Sequence, residues 1–108
     1  MKLTERSTLT LQKYDILLNP KAQKELSKFS SDISERVKEK LGELSRSPIE
    51  SKSGKDVKKL AGTSDPELYR LRIGEYRAIY WVDEKEKEVL VEKIAPRKKV
   101  YRDLSSLG

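Results

Sequence analysis

The chain contains no cysteine and no histidine. The first absence excludes disulfides and thiolate chemistry; the second excludes imidazole metal ligands and a histidine general base. Any chemistry performed by these 108 residues must therefore draw on arginine, lysine, tyrosine and carboxylates. Long apolar runs are also missing. No stretch approaches the roughly 20 apolar residues that a membrane span needs. The opening MKLTERSTLTLQ lacks the apolar centre of a signal peptide, so a cytoplasmic protein without membrane contact is expected. The carboxylates show no paired spacing of the kind that holds a metal, and neither metal nor cofactor is expected. The length suits one domain with a modest core.

What is present in quantity is charge. It amounts to 39% of residues with a net value of +6. Residues 1–50 hold ten basic against eight acidic side chains, and residues 51–108 hold fourteen against ten. The bias sharpens near the C-terminus, where Lys93, Arg97, Lys98, Lys99 and Arg102 are interrupted by no acid. Such a cluster favours a polyanion such as RNA electrostatically.

Residues 68–82, LYRLRIGEYRAIYWV, read as two strands joined by a tight turn at Gly74 and Glu75. Alternation places Tyr69, Leu71 and Ile73 on one face of the first strand and Leu68, Arg70 and Arg72 on the other. In the second, Tyr76, Ala78, Tyr80 and Val82 share a face, with Arg77, Ile79 and Trp81 opposite. Strands this rich in aromatic and β-branched residues belong inside a domain, yet three arginines run through them. Tyr80 is expected in the core, while Tyr76 suits either the core or a base-stacking surface.

Residues 1–12 show no periodicity and are expected to form a poorly ordered arm, or to lead into the first strand, ahead of a single domain over 13–108. Tyr14, Ile16 and Leu18 alternate as a short strand. Asn19 then reads as a helix N-cap with Pro20 at the first helical position. Ala22, Leu26 and Phe29 form the stripe of that helix; Ser30, Ser31 and Asp32 offer caps for a second, striped by Ile33, Val37, Leu41 and Leu44. A polar loop follows Pro48, and then a short extended piece at Lys58, Lys59 and Leu60. Residues 83–88 form a wholly charged hairpin loop, and VLVEKIA makes the last strand, ended by Pro96. Val100, Leu104 and Leu107 are spaced for a short terminal helix, and a flexible tail is the other reading. The order predicts an α+β domain: a short N-terminal strand, a two-helix hairpin, and a three-stranded antiparallel meander with both helices on one face and the other face partly open to a ligand.

Taken together, the helix start NPKAQKEL, the segment KKLAG at 58–62, the core LYRLRIGEYRAIYWV and the C-terminal KIAPRKKVYR resemble the RelE/ParE superfamily of toxin–antitoxin toxins, most closely its RelE-like branch, over residues 14–101. The resemblance implies a ribosome-dependent endoribonuclease that cuts mRNA in the decoding site, silenced by a RelB-like antitoxin. It implies an active surface of Arg70 and Arg72 before the turn, Arg77 after it, Arg97 after the last strand, and Tyr101. Some relatives carry lysines where this chain has Arg70 and Arg72. Because an arginine does not give up its proton below about pH 12, a general-base role does not transfer to those two positions.

The chemistry suits the residue types. Attack by a ribose 2′-hydroxyl on its adjacent phosphate needs charge stabilisation on the phosphoryl oxygens, a proton acceptor, and a proton for the leaving oxygen. Guanidinium forks of Arg72, Arg77 and Arg97 match the first need. Tyr101, with its phenol acidified by neighbouring cations, is the candidate base. Lys58, Lys59, Arg70, Lys98, Lys99 and Arg102 are the candidate RNA contacts. The plainer account makes Arg70 and Arg72 solvated strand residues paired with Glu88 or Glu92, Arg77 one half of a structural ion pair, and the C-terminal cations a solubilising tail. Two other functions fit the same pattern: a ParE-like gyrase inhibitor without nuclease activity, and a non-catalytic basic RNA-binding module.

Overall fold

The computed structural model describes residues 2–4, 13–49 and 56–100. Elements follow in the order β1 (Lys2–Thr4), β2 (Asp15–Leu18), α1 (Pro20–Ser27), α2 (Ser31–Glu43), β3 (Val57–Lys59), β4 (Tyr69–Ile73), β5 (Tyr76–Asp83) and β6 (Glu88–Pro96). Both helices start as their local sequences dictate. The Asn19 side chain accepts the Ala22 amide at 2.7 Å with Pro20 next in line, and Ser30 accepts from Ile33.

The class is α+β, as the pattern predicts, but the sheet is wider than a meander plus one strand. Among the described residues it has six strands in the order β1-β2-β6-β5-β4-β3. The β4–β5–β6 meander is antiparallel, whereas β2 inserts beside β6 in parallel. Two three-residue strands, β1 and β3, extend the edges. Neither is long enough to show periodicity.

Apolar residues of α1 and α2 meet one face of the sheet. Ala22, Leu26, Val37, Leu41 and Leu44 pack against Ile16, Leu18, Leu71, Ile73, Tyr80, Val89, Val91 and Ile94. Tyr80 is fully buried, stacked on Tyr69 at 5.7 Å between ring centroids, with its hydroxyl donating to the Pro48 carbonyl. Tyr76 also faces the helices, its ring 4.8 Å from that of Phe29, which makes it a packing residue.

The opposite face departs from expectation. Its centre is covered: Leu68, Ile79, Ala95 and Val100 form a second small core, joined by Leu60 and Trp81. Val100 is completely buried there, so the chain beyond β6 folds back onto this face. Burying this apolar strip removes it from water.

One irregularity decides which side chains reach that face. Tyr80 pairs with Val91 but Ile79 pairs with Lys93, leaving Glu92 as the additional residue of a bulge. Strict alternation from Val89 would send Lys93 and Ala95 to the helix side. The bulge reverses the parity, so Val89, Val91 and Ile94 share the main core while Lys93 and Ala95 turn away. The bulge is held on both sides. The Glu92 carboxylate accepts from Trp81 Nε1 at 2.7 Å and Asn19 Nδ2 at 2.6 Å, and Glu25 of α1 accepts the Ile94 amide at 3.0 Å.

Candidate nucleic-acid interface

Cross-strand register assembles the cations into two rows. Lys58 pairs with Arg70, Arg70 with Ile79, and Ile79 with Lys93; one step along, Arg72 pairs with Arg77 and Arg77 with Ala95. Directly opposed residues point the same way, and strands lie about 4.8 Å apart. Lys58, Arg70, Arg72, Arg77 and Lys93 therefore share the face away from the helices.

The turn between β4 and β5 is the centre of this arrangement. Gly74 adopts φ +58° as its first central residue, the conformation a two-residue hairpin of type II′ requires. Arg77, only 7% exposed, donates through Nη1 to the carbonyls of Gly74 at 2.7 Å and Tyr76 at 2.8 Å, bracing the turn from within. Arg97 reaches the same turn from β6: its backbone amide donates to the Glu75 carbonyl at 2.8 Å, and its side chain is exposed. Lys98 and Lys99 are exposed in the turn that follows, where the amides of Lys99 and Val100 both donate to Pro96.

Arg72 is half exposed and has a fixed acid, though not the expected one. Its Nη2 lies 3.3 Å from Asp56 Oδ1, and its amide donates to the Asp56 carbonyl at 2.7 Å. The other carboxylate oxygen of Asp56 takes Lys40 of α2 at 2.8 Å. Lys40 and then Arg72 hold the Asp56 carboxyl below its ordinary range, and the Lys40 ammonium is correspondingly raised. Glu92, one of the acids expected to pair with these arginines, is engaged by Trp81 and Asn19.

Not every predicted contact joins the rows. Lys59 pairs with Tyr69, on the opposite side of the strand from Lys58, and its Nζ is bound by Glu67 at 2.8 Å. Tyr101 and Arg102 lie outside the described residues. Three residues that sequence reasoning left out of the site belong beside it: Lys93, 5% exposed, and the pair Asp56 and Lys40. Lys93 stands in the basic run, but only the bulge aims it; Asp56 stands in a polar loop with no signal of its own. Burial raises the pKa of the tyrosines Tyr14, Tyr69 and Tyr80 above its ordinary value, which keeps each phenol protonated at neutral pH. Among the described residues no three carboxylates cluster as a metal site, and no helix is long and apolar enough to cross a membrane.

A family model described as the ParE toxin of type II toxin–antitoxin systems matches residues 16–101, most of the chain. The chain belongs to the RelE/ParE toxin superfamily. It is 29% identical over 91 residues to a protein of Methanocaldococcus jannaschii named as the toxin RelE1, covering 84% of this chain and 98% of that one. The fold is similar to that in the archaeal RelE–RelB complex of Pyrococcus horikoshii, with 33% identity, a TM-score of 0.68, and coverage of 82% and 99% of the two chains. It is also similar to that in the Escherichia coli RelBE complex, with 30% identity, a TM-score of 0.59 and coverage of 75% and 93%. This superfamily member is thus a toxin of a RelBE-type toxin–antitoxin system.

Proposed function

We propose that this toxin is a metal-independent endoribonuclease that cuts mRNA on the ribosome and is neutralised by a RelB-like antitoxin. The observation that carries the reading is the opposition of Arg72 and Arg77 across the hairpin, with Arg97 tied by its own amide to the turn that joins their strands. Three guanidinium-bearing positions at one end of one sheet face suit a phosphate whose oxygens gain charge during the reaction.

In this mechanism the 2′-hydroxyl attacks the adjacent phosphorus as the bond to the 5′-oxygen breaks, leaving a cyclic phosphate, and the departing oxygen takes a proton from water to become a free 5′-hydroxyl. The exposed side chains of Arg72 and Arg97 contact the phosphoryl oxygens. Arg77 braces the turn and adds its charge from behind. Arg70 and Lys58 hold the backbone on the neighbouring row, Lys98 and Lys99 extend the basic surface past β6, and Tyr101 takes the 2′-hydroxyl proton. Nothing in this set is poised as a strong acid–base pair at neutral pH, so alignment of the reacting atoms falls to the ribosome.

Incubation with translating ribosomes, followed by mapping of 5′ ends, tests the proposal. Cuts at fixed codon positions with 5′-hydroxyl ends are expected, with little cleavage of naked RNA; efficient cleavage of free RNA would contradict the ribosome requirement. The description of the matching family model as a ParE toxin favours a second reading, gyrase inhibition without nuclease activity. Loss of gyrase supercoiling with intact mRNA would select it.

A further inference from the structure

At the other end of β5 the surface changes sign. From Arg77 to Val82 the strand advances about 17 Å and ends at an open cleft of about 470 Å³. Its floor is apolar, formed by Ile49, Pro66, Trp81 and Val82. Ile49 is 46% exposed and is the one large hydrophobic side chain so exposed among the described residues. Around that floor stand four carboxylates, Asp65, Glu67, Asp83 and Glu84. Two have cations in place: Glu67 has Lys59 at 2.8 Å and Glu84 has Lys87 at 3.1 Å. Asp65 and Asp83 make no ion pair among the described residues; Asp83 Oδ1 accepts only the loop amides of Lys85 and Glu86.

On a chain of net charge +6, an apolar cleft with surplus negative charge is a site of its own kind. We propose that it is a docking surface for a basic amphipathic segment of a partner protein. Such a segment buries an apolar side chain against Ile49, Trp81 and Val82 and sets lysines or arginines against Asp65 and Asp83. The charge complementarity excludes nucleic acid as the occupant, since its phosphates would face carboxylates. A segment seated there leaves Arg72 and Arg97 uncovered, so the partner and a polyanion bind together. None of this depends on the nuclease reading.

Trp81 is the only tryptophan of the chain, so its emission reports on the cleft directly. The full chain is titrated with an 18-residue amphipathic peptide bearing leucines on one face flanked by lysines, at low and high salt. A saturable change in Trp81 emission is expected, weakened by salt and absent with the same peptide carrying glutamates for lysines. Asp65→Asn with Asp83→Asn removes both charges while Asn keeps the loop acceptor and tolerates the positive φ of position 65. That double variant and, separately, Ile49→Ser should each weaken binding roughly tenfold, with unchanged circular dichroism and Tm. The proposal is overturned by the absence of a saturable response at millimolar peptide, by equal binding of the acidic peptide, or by affinity that neither variant moves. Concentration-dependent dimerisation abolished by Ile49→Ser would assign the cleft to a second copy of the chain and overturn it equally.

Discussion

Arg72 and Arg77 face each other directly across the β4–β5 hairpin, a like-charge pair beside its turn. The Arg72 amide donates to Asp56, away from β5, so the pair is of the non-hydrogen-bonded kind whose side chains lie closest. Like charges so placed destabilise a sheet. Here the two guanidiniums part: one turns to the Asp56 carboxylate, the other folds onto the Gly74 and Tyr76 carbonyls. The fold tolerates the repulsion and keeps both positive residues on one face of the hairpin.

That division of labour separates the two arginines experimentally. Arg72→Ala is expected to lower ribosome-dependent cleavage by about 10²–10³, the usual cost of losing one charge-stabilising donor, with a smaller loss of Tm than Arg77→Ala, since Lys40 still holds Asp56. Arg77→Ala should reduce both, because the turn loses its internal brace. Paired cleavage rates and thermal melts check the contrast; equal Tm losses would show that Arg72 is structural too.

Asp56 supplies a pH signature. Its carboxyl is held below the ordinary range, so the unfolded chain takes up its proton first as pH falls. The Lys40 and Arg72 tie therefore stabilises the fold fully above about pH 4 and is lost as pH drops through the lower folded value. Lys40 is raised, so its share is complete below about pH 10.4 and fades above it. Asp56→Asn should flatten the acid limb of a urea-denaturation profile measured from pH 2 to 7. An acid limb identical to that of the parent protein would remove the tie from the account.

Lys58 and Lys59 are sequence neighbours with opposite orientations. Lys58→Ala is expected to weaken binding of a short oligoribonucleotide and to reduce the slope of log affinity against log salt by about one. Lys59→Ala should leave both nearly untouched, since its ammonium is bound by Glu67 on the other side of the strand. Salt titrations by fluorescence anisotropy measure the difference; equal effects would mean that the register does not sort these side chains for RNA.

If Tyr101 is the proton acceptor, Tyr101→Phe should slow single-turnover cleavage on the ribosome by about 10²–10⁴ while leaving ribosome affinity within twofold. A variant that cleaves at the parent rate would return the proton-transfer role to water or to the RNA itself.

The helix-side core sets the baseline for all of these. Leu41 is fully buried between α2 and the sheet. Leu41→Ala is expected to cost about 2–5 kcal/mol in urea unfolding, whereas a loss under 1 kcal/mol would mean that α2 packs more loosely than its burial indicates.

Much of the fold was legible from local patterns. The Asn19–Pro20 cap, the stripe of Val37, Leu41 and Leu44, and the alternation of Tyr69, Leu71 and Ile73 against Arg70 and Arg72 all appear where the sequence places them. Each signal spans a few residues and needs no distant partner. The covered centre of the second face was not legible, because Val100 meets Ile79 and Leu68 only after the chain has passed through β6 and turned back. Nor was Asp56, whose importance arises from Lys40 on one side and Arg72 on the other.

By itself, then, the sequence determined where the two helices begin, the two-faced hairpin and the presence of cations on one of its faces, since periodicity and capping are properties of neighbouring residues. The tertiary structure alone decided which cations share a row, that β2 enters in parallel beside β6, and that Lys93 turns toward Arg70 and away from Lys59. The physical reason is the register: pairing Ile79 with Lys93 but Tyr80 with Val91 inserts Glu92 and reverses every side chain after it, and that choice is made by Trp81, Asn19 and Glu25, which lie 11, 73 and 67 residues away along the chain.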